Sequence, residues 1–119
     1  PGTTFSLGQE KYAPYKKMKR MGLEIALATD YNPGSCNIQS MSFTLSLACI
    51  FLGMTPLDAI KAATYTSAKS LLIENITGSI EIGKRSDMIV WDFENYIKIP
   101  FMVTDHPIKH IIKSGKILN

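Results

Sequence analysis

Leu23-Glu24-Ile25-Ala26-Leu27-Ala28-Thr29-Asp30 is the stretch on which the reading of the fold turns. It is a short, nearly continuous apolar run that ends abruptly in polar residues. Such a run suits a strand of a parallel sheet covered on both faces, where apolar and polar positions need not alternate. A helix is expected just before it: Tyr15, Met18 and Met21 recur at helical spacing within residues 11–21, and Gly22 suits the stop. After it, Tyr31-Asn32-Pro33-Gly34-Ser35 has the chemistry of a loop, with Pro33 fixing one φ angle and Gly34 permitting a positive one.

Working outward, residues 40–52 form a helical pattern that is apolar nearly all round, as in a buried helix, and Gly53 closes it. Thr55-Pro56-Leu57-Asp58 opens another helix. Thr55 can cap it, Pro56 fits the first turn and Asp58 favours the positive end. Ile60, Ala63 and Thr64 are its expected inner face, and Thr66 or Ser67 restarts a short helix through Leu72. The character then changes. Gly78-Ser79-Ile80-Glu81-Ile82-Gly83-Lys84 alternates and turns like β structure, Met88-Ile89-Val90-Trp91 reads as a strand, and residues 110–118 read as a hairpin around Ser114-Gly115. Residues 1–75 thus read as α/β and residues 76–119 as β, two packing units cut from a larger protein.

Composition bounds the function. A chain of 119 residues, 45% apolar and 19% charged, is globular rather than disordered. It is shorter than the roughly 250 residues of an eight-stranded α/β barrel. The net charge of +3 is small, and Lys16, Lys17, Lys19 and Arg20 read as a solvated helix face. No aromatic or fold motif supports a nucleic-acid partner. Cys36 and Cys49, the only cysteines, form no C-x-x-C pair and read as reduced thiols of a cytoplasmic protein. The longest apolar run, near Leu45 to Leu52, is interrupted by Ser46 and is too short to span a bilayer.

The candidate chemistry lies in Leu27-Ala28-Thr29-Asp30-Tyr31-Asn32-Pro33-Gly34-Ser35. An apolar strand there delivers a carboxylate at its C-terminal end, the face that carries active sites in α/β barrels. Asp30 in that position could ligate a metal ion and accept a proton. Asn32 offers both donors and acceptors. The N–H groups of Gly34 and Ser35, ahead of a helix, suit an anion such as a substrate carboxylate. On residue chemistry alone, Asp30 and Asn32 equally suit an Asx-type turn. Ser35 has no base partner in the sequence, so a nucleophilic triad finds no support. His106 and His110 stand four apart, but Pro107 and the hairpin pattern argue against a helical metal site.

Thr29-Asp30-Tyr31-Asn32-Pro33-Gly34-Ser35 resembles the T-D-[FY]-N-P-G-S signature of imidazolonepropionases, and the likeness extends over essentially the whole chain. It includes Pro1-Gly2-Thr3, Tyr12-Ala13-Pro14-Tyr15-Lys16-Lys17-Met18, Met54-Thr55-Pro56-Leu57-Asp58-Ala59 and Ala62-Ala63-Thr64. Residues 78–88 resemble the broader G-S-[LI]-E-x-G-K-x-A-D motif of amidohydrolases, with Ser86 in place of the usual alanine.

The resemblance implies an α/β fold: residues 1–75 as the C-terminal portion of a metal-dependent-hydrolase (β/α)8 TIM barrel, and residues 76–119 as strands of a small β-sandwich domain. It implies a cytoplasmic enzyme of histidine degradation that hydrolyses 4-imidazolone-5-propanoate to N-formimidoyl-L-glutamate. One zinc or iron ion is expected, with Asp30 as ligand and proton carrier and Asn32, Gly34 and Ser35 on the substrate. The family's other ligands, an H-x-H pair and a further histidine, are absent from these residues, so the chain alone is expected to be inactive. Its expected partners are the small-molecule substrate, the missing N-terminal part of the same protein and further copies in a homo-oligomer. Another cyclic amidohydrolase or deaminase of the superfamily, or a non-catalytic oligomerising module, are the alternatives.

Overall fold

The computed structural model describes residues 1–118. Five short helices come first: α1 Gly2–Ser6, α2 Tyr15–Arg20, α3 Met41–Leu47, α4 Pro56–Ala63 and α5 Tyr65–Ser70. An antiparallel sheet follows in the order β1-β2-β3, with β1 Met88–Trp91, β2 Ile108–Lys113 and β3 Lys116–Ile117. A 3-10 helix, Tyr96–Phe101, joins β1 to β2.

The helices begin where local chemistry permits. Pro14 stands at the N-cap of α2. The residue before a proline is pushed out of helical geometry, which explains why the expected helix over 11–21 shortens to Tyr15–Arg20. Ser40 caps α3 by accepting from the Phe43 N–H at 3.2 Å. Thr55 caps α4 by accepting from the Asp58 N–H at 3.1 Å, with Pro56 in the first turn as anticipated. The helix expected over 40–52 is not uniform. After Leu47 it widens into a π-helical segment, Ala48–Leu52, which leaves Ile50 and Phe51 exposed.

The core is centred on this helical part. Tyr15, Leu27, Leu45, Ala48, Leu52, Met54, Ala59 and Ala62 are buried together. The inner face of α4 is therefore Ala59 and Ala62, with Ile60 and Ala63 only half-buried. Thr64, expected on that face, is exposed, and its hydroxyl turns back to the Ile60 carbonyl at 2.8 Å. Met21 lies past the end of α2 and is also exposed, while Lys16, Lys17, Lys19 and Arg20 form the solvated face anticipated. Ile99, from the 3-10 helix, packs on this core and Pro100 is fully buried, so the C-terminal part is keyed into the helices.

Two expected β segments are not strands. Residues 23–30 form no strand and pair with none among the described residues. Residues 78–84 turn, with Ile80 and Ile82 fully open to solvent. Side-chain bonds close this loop: Lys84 Nζ donates to Ser79 Oγ at 2.6 Å and to Glu81 Oε1 at 2.8 Å, and the Arg85 N–H reaches the Ile76 carbonyl at 2.7 Å. Gly78, at φ +97°, lies so close to α5 that an added Cβ would be 2.6 Å from the Ala68 Cβ. The hairpin at Ser114-Gly115 is present.

Asp87 ties the sheet together. Its carboxylate accepts from Lys113 Nζ at 2.8 Å and from the Ser114 N–H at 2.7 Å, bracing the β2–β3 turn from the start of β1. Lys113, then the Ser114 N–H, holds this carboxyl below its ordinary range. A carboxylate depressed in the folded state adds stability above its unfolded pKa and loses it as pH falls through the folded value. Asp87→Asn should melt below the parent chain at about pH 6, the gap closing as pH drops below about 4. Melting curves with a gap indifferent to pH would contradict this.

Segment 23–30 has a second consequence. The main-chain polar groups of Ile25, Ala26 and Ala28 make no hydrogen bond among the described residues. Leu23, Leu71, Leu72, Ile80 and Ile82 are also exposed. Open strand edges beside apolar surface template association. The isolated 119-residue chain should self-associate in light scattering, and a stable monomer at high concentration would count against this account.

Candidate functional site

Leu27 anchors the segment that leads to the site. Its N–H donates to the Ala62 carbonyl at 3.0 Å, and its carbonyl lies 2.9 Å from the Ser67 hydroxyl. That hydroxyl is also 2.7 Å from the Ala62 carbonyl. Three residues on, Asp30 adopts φ 56°. The left-handed residue of this loop is thus Asp30 and not Gly34, which has no positive φ. Aspartate is among the few non-glycine residues that tolerate this region, because its short side chain bonds locally.

Asn32 builds the loop. Its Oδ1 accepts from the Gly34 N–H at 3.0 Å, the Ser35 N–H at 2.8 Å and the Ser35 hydroxyl at 3.1 Å. Its Nδ2 donates to the Asp30 carbonyl at 2.8 Å. A one-residue-pair bridge to Cys36 closes the base, with the Asn32 N–H 2.9 Å from the Cys36 carbonyl. The N–H groups of Gly34 and Ser35, expected to be open to an anion, therefore face Asn32. A carboxamide has two N–H donors, so one remains uncommitted on half-buried Asn32.

The chain start packs on this loop, a feature that residue-by-residue reading missed. Thr3 donates its hydroxyl to Asp30 Oδ2. Gly2 is buried so tightly that an added Cβ would lie 2.7 Å from the Thr29 carbonyl and 3.1 Å from Cys36 Sγ. The Cys36 thiol in turn donates to the Thr29 carbonyl at 3.3 Å. Pro1-Gly2-Thr3 carried a signal only as part of the family likeness. Nothing local marks Thr3 as the partner of a residue 27 positions away.

Asp30 is exposed, and its Oδ1 makes no hydrogen bond among the described residues. It offers a hard oxygen donor, which suits a metal ion. No group of three or more His, Cys, Asp or Glu side chains converges among the described residues. The chain fits a metal only as the supplier of one ligand of a larger set. His106 is exposed in a loop. His110 lies half-buried on β2 opposite Val90, on the sheet face shared with Ile108 and Ile112. The two histidines do not form a site with Asp30.

Comparison with known proteins places this architecture. Escherichia coli guanine deaminase superposes with a TM-score of 0.77 at 22% identity, over 100% of this chain and 32% of that one, a likeness of fold. The sequence profile of the Amidohydrolase family matches residues 6–118, and the chain belongs to that family. It is 42% identical over 118 residues to the imidazolonepropionase of Alkaliphilus oremlandii and 36% identical over 118 residues to that of Symbiobacterium thermophilum. Each match covers 99% of this chain, which spans only 28% of the length of these curated relatives.

The loop geometry makes a specific forecast for Asn32. Asn32→Ala deletes the acceptor of three bonds and should cost about 1–3 kcal/mol in chemical denaturation. Asn32→Asp keeps the acceptor and the turn and should recover most of that loss. Equal destabilisation by both substitutions would show that Oδ1 does not organise the loop.

Proposed function

We propose that these residues are the C-terminal part of an imidazolonepropionase, which hydrolyses 4-imidazolone-5-propanoate to N-formimidoyl-L-glutamate in histidine degradation. The observation that carries this reading is the Thr29-Asp30-Tyr31-Asn32-Pro33-Gly34-Ser35 loop, with the Asp30 carboxylate held at its entrance. The 42% identity to an enzyme of that name supports it. On this reading residues 1–75 complete the end of a (β/α)8 barrel. Segment 23–29, which joins no sheet among the described residues, is a barrel strand whose neighbours come from the rest of the protein. Residues 76–119 contribute strands to a small β-sandwich domain. The assembled enzyme is a cytoplasmic homo-oligomer.

Asp30 is assigned as one ligand of a zinc or iron ion, the remaining ligands being histidines outside this chain. The ion, when bound, supplies Lewis-acid chemistry. Asp30 also carries a proton. Its carboxylate accepts one from the attacking water as the new C–O bond forms at the ring carbonyl, and returns it to the ring nitrogen as the C–N bond breaks. Asn32, Gly34 and Ser35 are assigned to the substrate-facing loop. The uncommitted N–H of Asn32 is the donor best suited to a substrate oxygen, while Gly34 and Ser35 act as a wall fixed by Asn32.

Asp30→Asn in a full-length protein containing these residues separates the roles. Asparagine serves a turn equally well, so a purely structural Asp30 would leave turnover unchanged. As ligand and proton carrier, Asp30 makes the variant lose at least about 10²–10⁴-fold in turnover. Steady-state kinetics on 4-imidazolone-5-propanoate, with metal content measured alongside, decides the matter; near-parental turnover would sink the assignment.

A further inference from the structure

We infer that Thr3 is a positioning residue for the Asp30 carboxylate, an inference that rests on Asp30 being the metal ligand proposed above. The geometry fixes Asp30 from two sides. Its carbonyl accepts from Asn32 Nδ2 at 2.8 Å, which sets the main chain at φ 56°. Its Oδ2 accepts from the Thr3 hydroxyl, which sets the side chain. Oδ1 is left as the oxygen with no protein donor among the described residues.

The Thr3 contact is built into the packing of α1. Gly2 lies against the Thr29 carbonyl with no room for a Cβ, and Cys36 donates its thiol to that same carbonyl. The first turn of α1 is therefore held at the residue preceding Asp30, and this close approach brings the next residue's hydroxyl onto the carboxylate. A hydroxyl donor on one oxygen restricts rotation about χ2 and directs the other oxygen outward. Partners of this kind, one bond removed from a metal, typically account for about 10–100-fold in metal affinity or activity.

The test uses a full-length protein containing these residues. Four forms are compared: parent, Thr3→Val, Thr3→Ser and Asp30→Asn. Valine keeps the shape of threonine and removes the hydroxyl. Serine keeps the hydroxyl. Zn²⁺ affinity is read by chelator competition, thermal unfolding is read on the metal-free proteins, and kcat and KM are read on the loaded ones. The expected result is a loss of about 10–100-fold in Zn²⁺ affinity and kcat for Thr3→Val. Its KM and metal-free melting should stay near parental, and Thr3→Ser should restore affinity and kcat. Thr3→Ala serves the same comparison should the valine variant not fold. Parental affinity and kcat in the hydroxyl-free variant, beside an impaired Asp30→Asn, would overturn the role of Thr3 alone. An Asp30→Asn protein equal to the parent in affinity and kcat would overturn the reading of Asp30 and the Thr3 inference with it.

Discussion

The Leu27 main chain is fastened through both of its polar groups to the corner between α4 and α5. This one attachment decides where the loop that follows can lie. The N–H finds the Ala62 carbonyl and the carbonyl finds the Ser67 hydroxyl. Ala62 stands in the last turn of α4, where helix carbonyls lose their intrahelical donors. Thr64 breaks the helix at φ −118°, ψ −89°. The break keeps the Ala62 carbonyl available to the Leu27 N–H, and the single Ser67 hydroxyl proton lies within reach of both the Leu27 and the Ala62 carbonyls. An orphan helix acceptor thus takes over work that sheet partners would do. The Leu27 side chain is buried among Tyr15, Leu45, Ala59 and Ala62, so hydrogen bonding and apolar burial hold the same residue.

The C-terminal part braces that corner from behind. Gly78 lies against Ala68 and the main chain of Thr64 and Tyr65, and Lys84 Nζ sits 5.7 Å from the centroid of the Tyr65 ring. Its ammonium is largely shielded, with 11% of the side chain exposed, and is satisfied by Ser79 and Glu81. The Lys84 ammonium, followed by the Ser79 hydroxyl, holds the Glu81 carboxyl below its ordinary range. Three residues of the 78–88 motif therefore have local tasks in this chain. Gly78 allows close packing, Lys84 joins the loop to α5, and Asp87 secures the sheet. These hydrogen bonds and close contacts lie within this loop, α5 and the sheet.

The sequence was most legible where chemistry is local. The caps at Thr55 and Pro56, the strand at 88–91 and the hairpin at Ser114-Gly115 follow from short-range rules, and the structure has them. Reading failed where a distant partner decides. Residues 78–84 alternate like a strand, yet their polar side chains bond one another and no strand lies beside them among the described residues. Residues 23–29 have a strand's composition, but a strand also needs a neighbour to pair with, and none lies beside them among the described residues. At the site, the T-D-Y-N-P-G-S string marked the loop without revealing its wiring. By residue chemistry an Asx-type turn and a functional carboxylate suit this string equally. Asn32 makes the turn, and the turn is what presents Asp30.

That relation bears on why an aspartate occupies a left-handed position at all. The left-handed region costs an ordinary residue roughly 1–2 kcal/mol, and glycine would avoid the cost. Glycine, however, has no carboxylate, and asparagine, which tolerates the region as well, has no charge. The conformation turns the chain after Thr29, so that the Thr29 carbonyl faces Gly2 and Cys36 while the Asp30 carboxylate turns toward Thr3. One hydrogen bond donated and three accepted by the Asn32 side chain, with one donated by Thr3, hold this arrangement without any contribution from a ligand. On the proposed reading, in which Asp30 is one ligand of a larger set, a donor gains from being held this way. Conformational freedom left in it would have to be frozen when the rest of the site closes around the ligand, and that cost would be subtracted from binding.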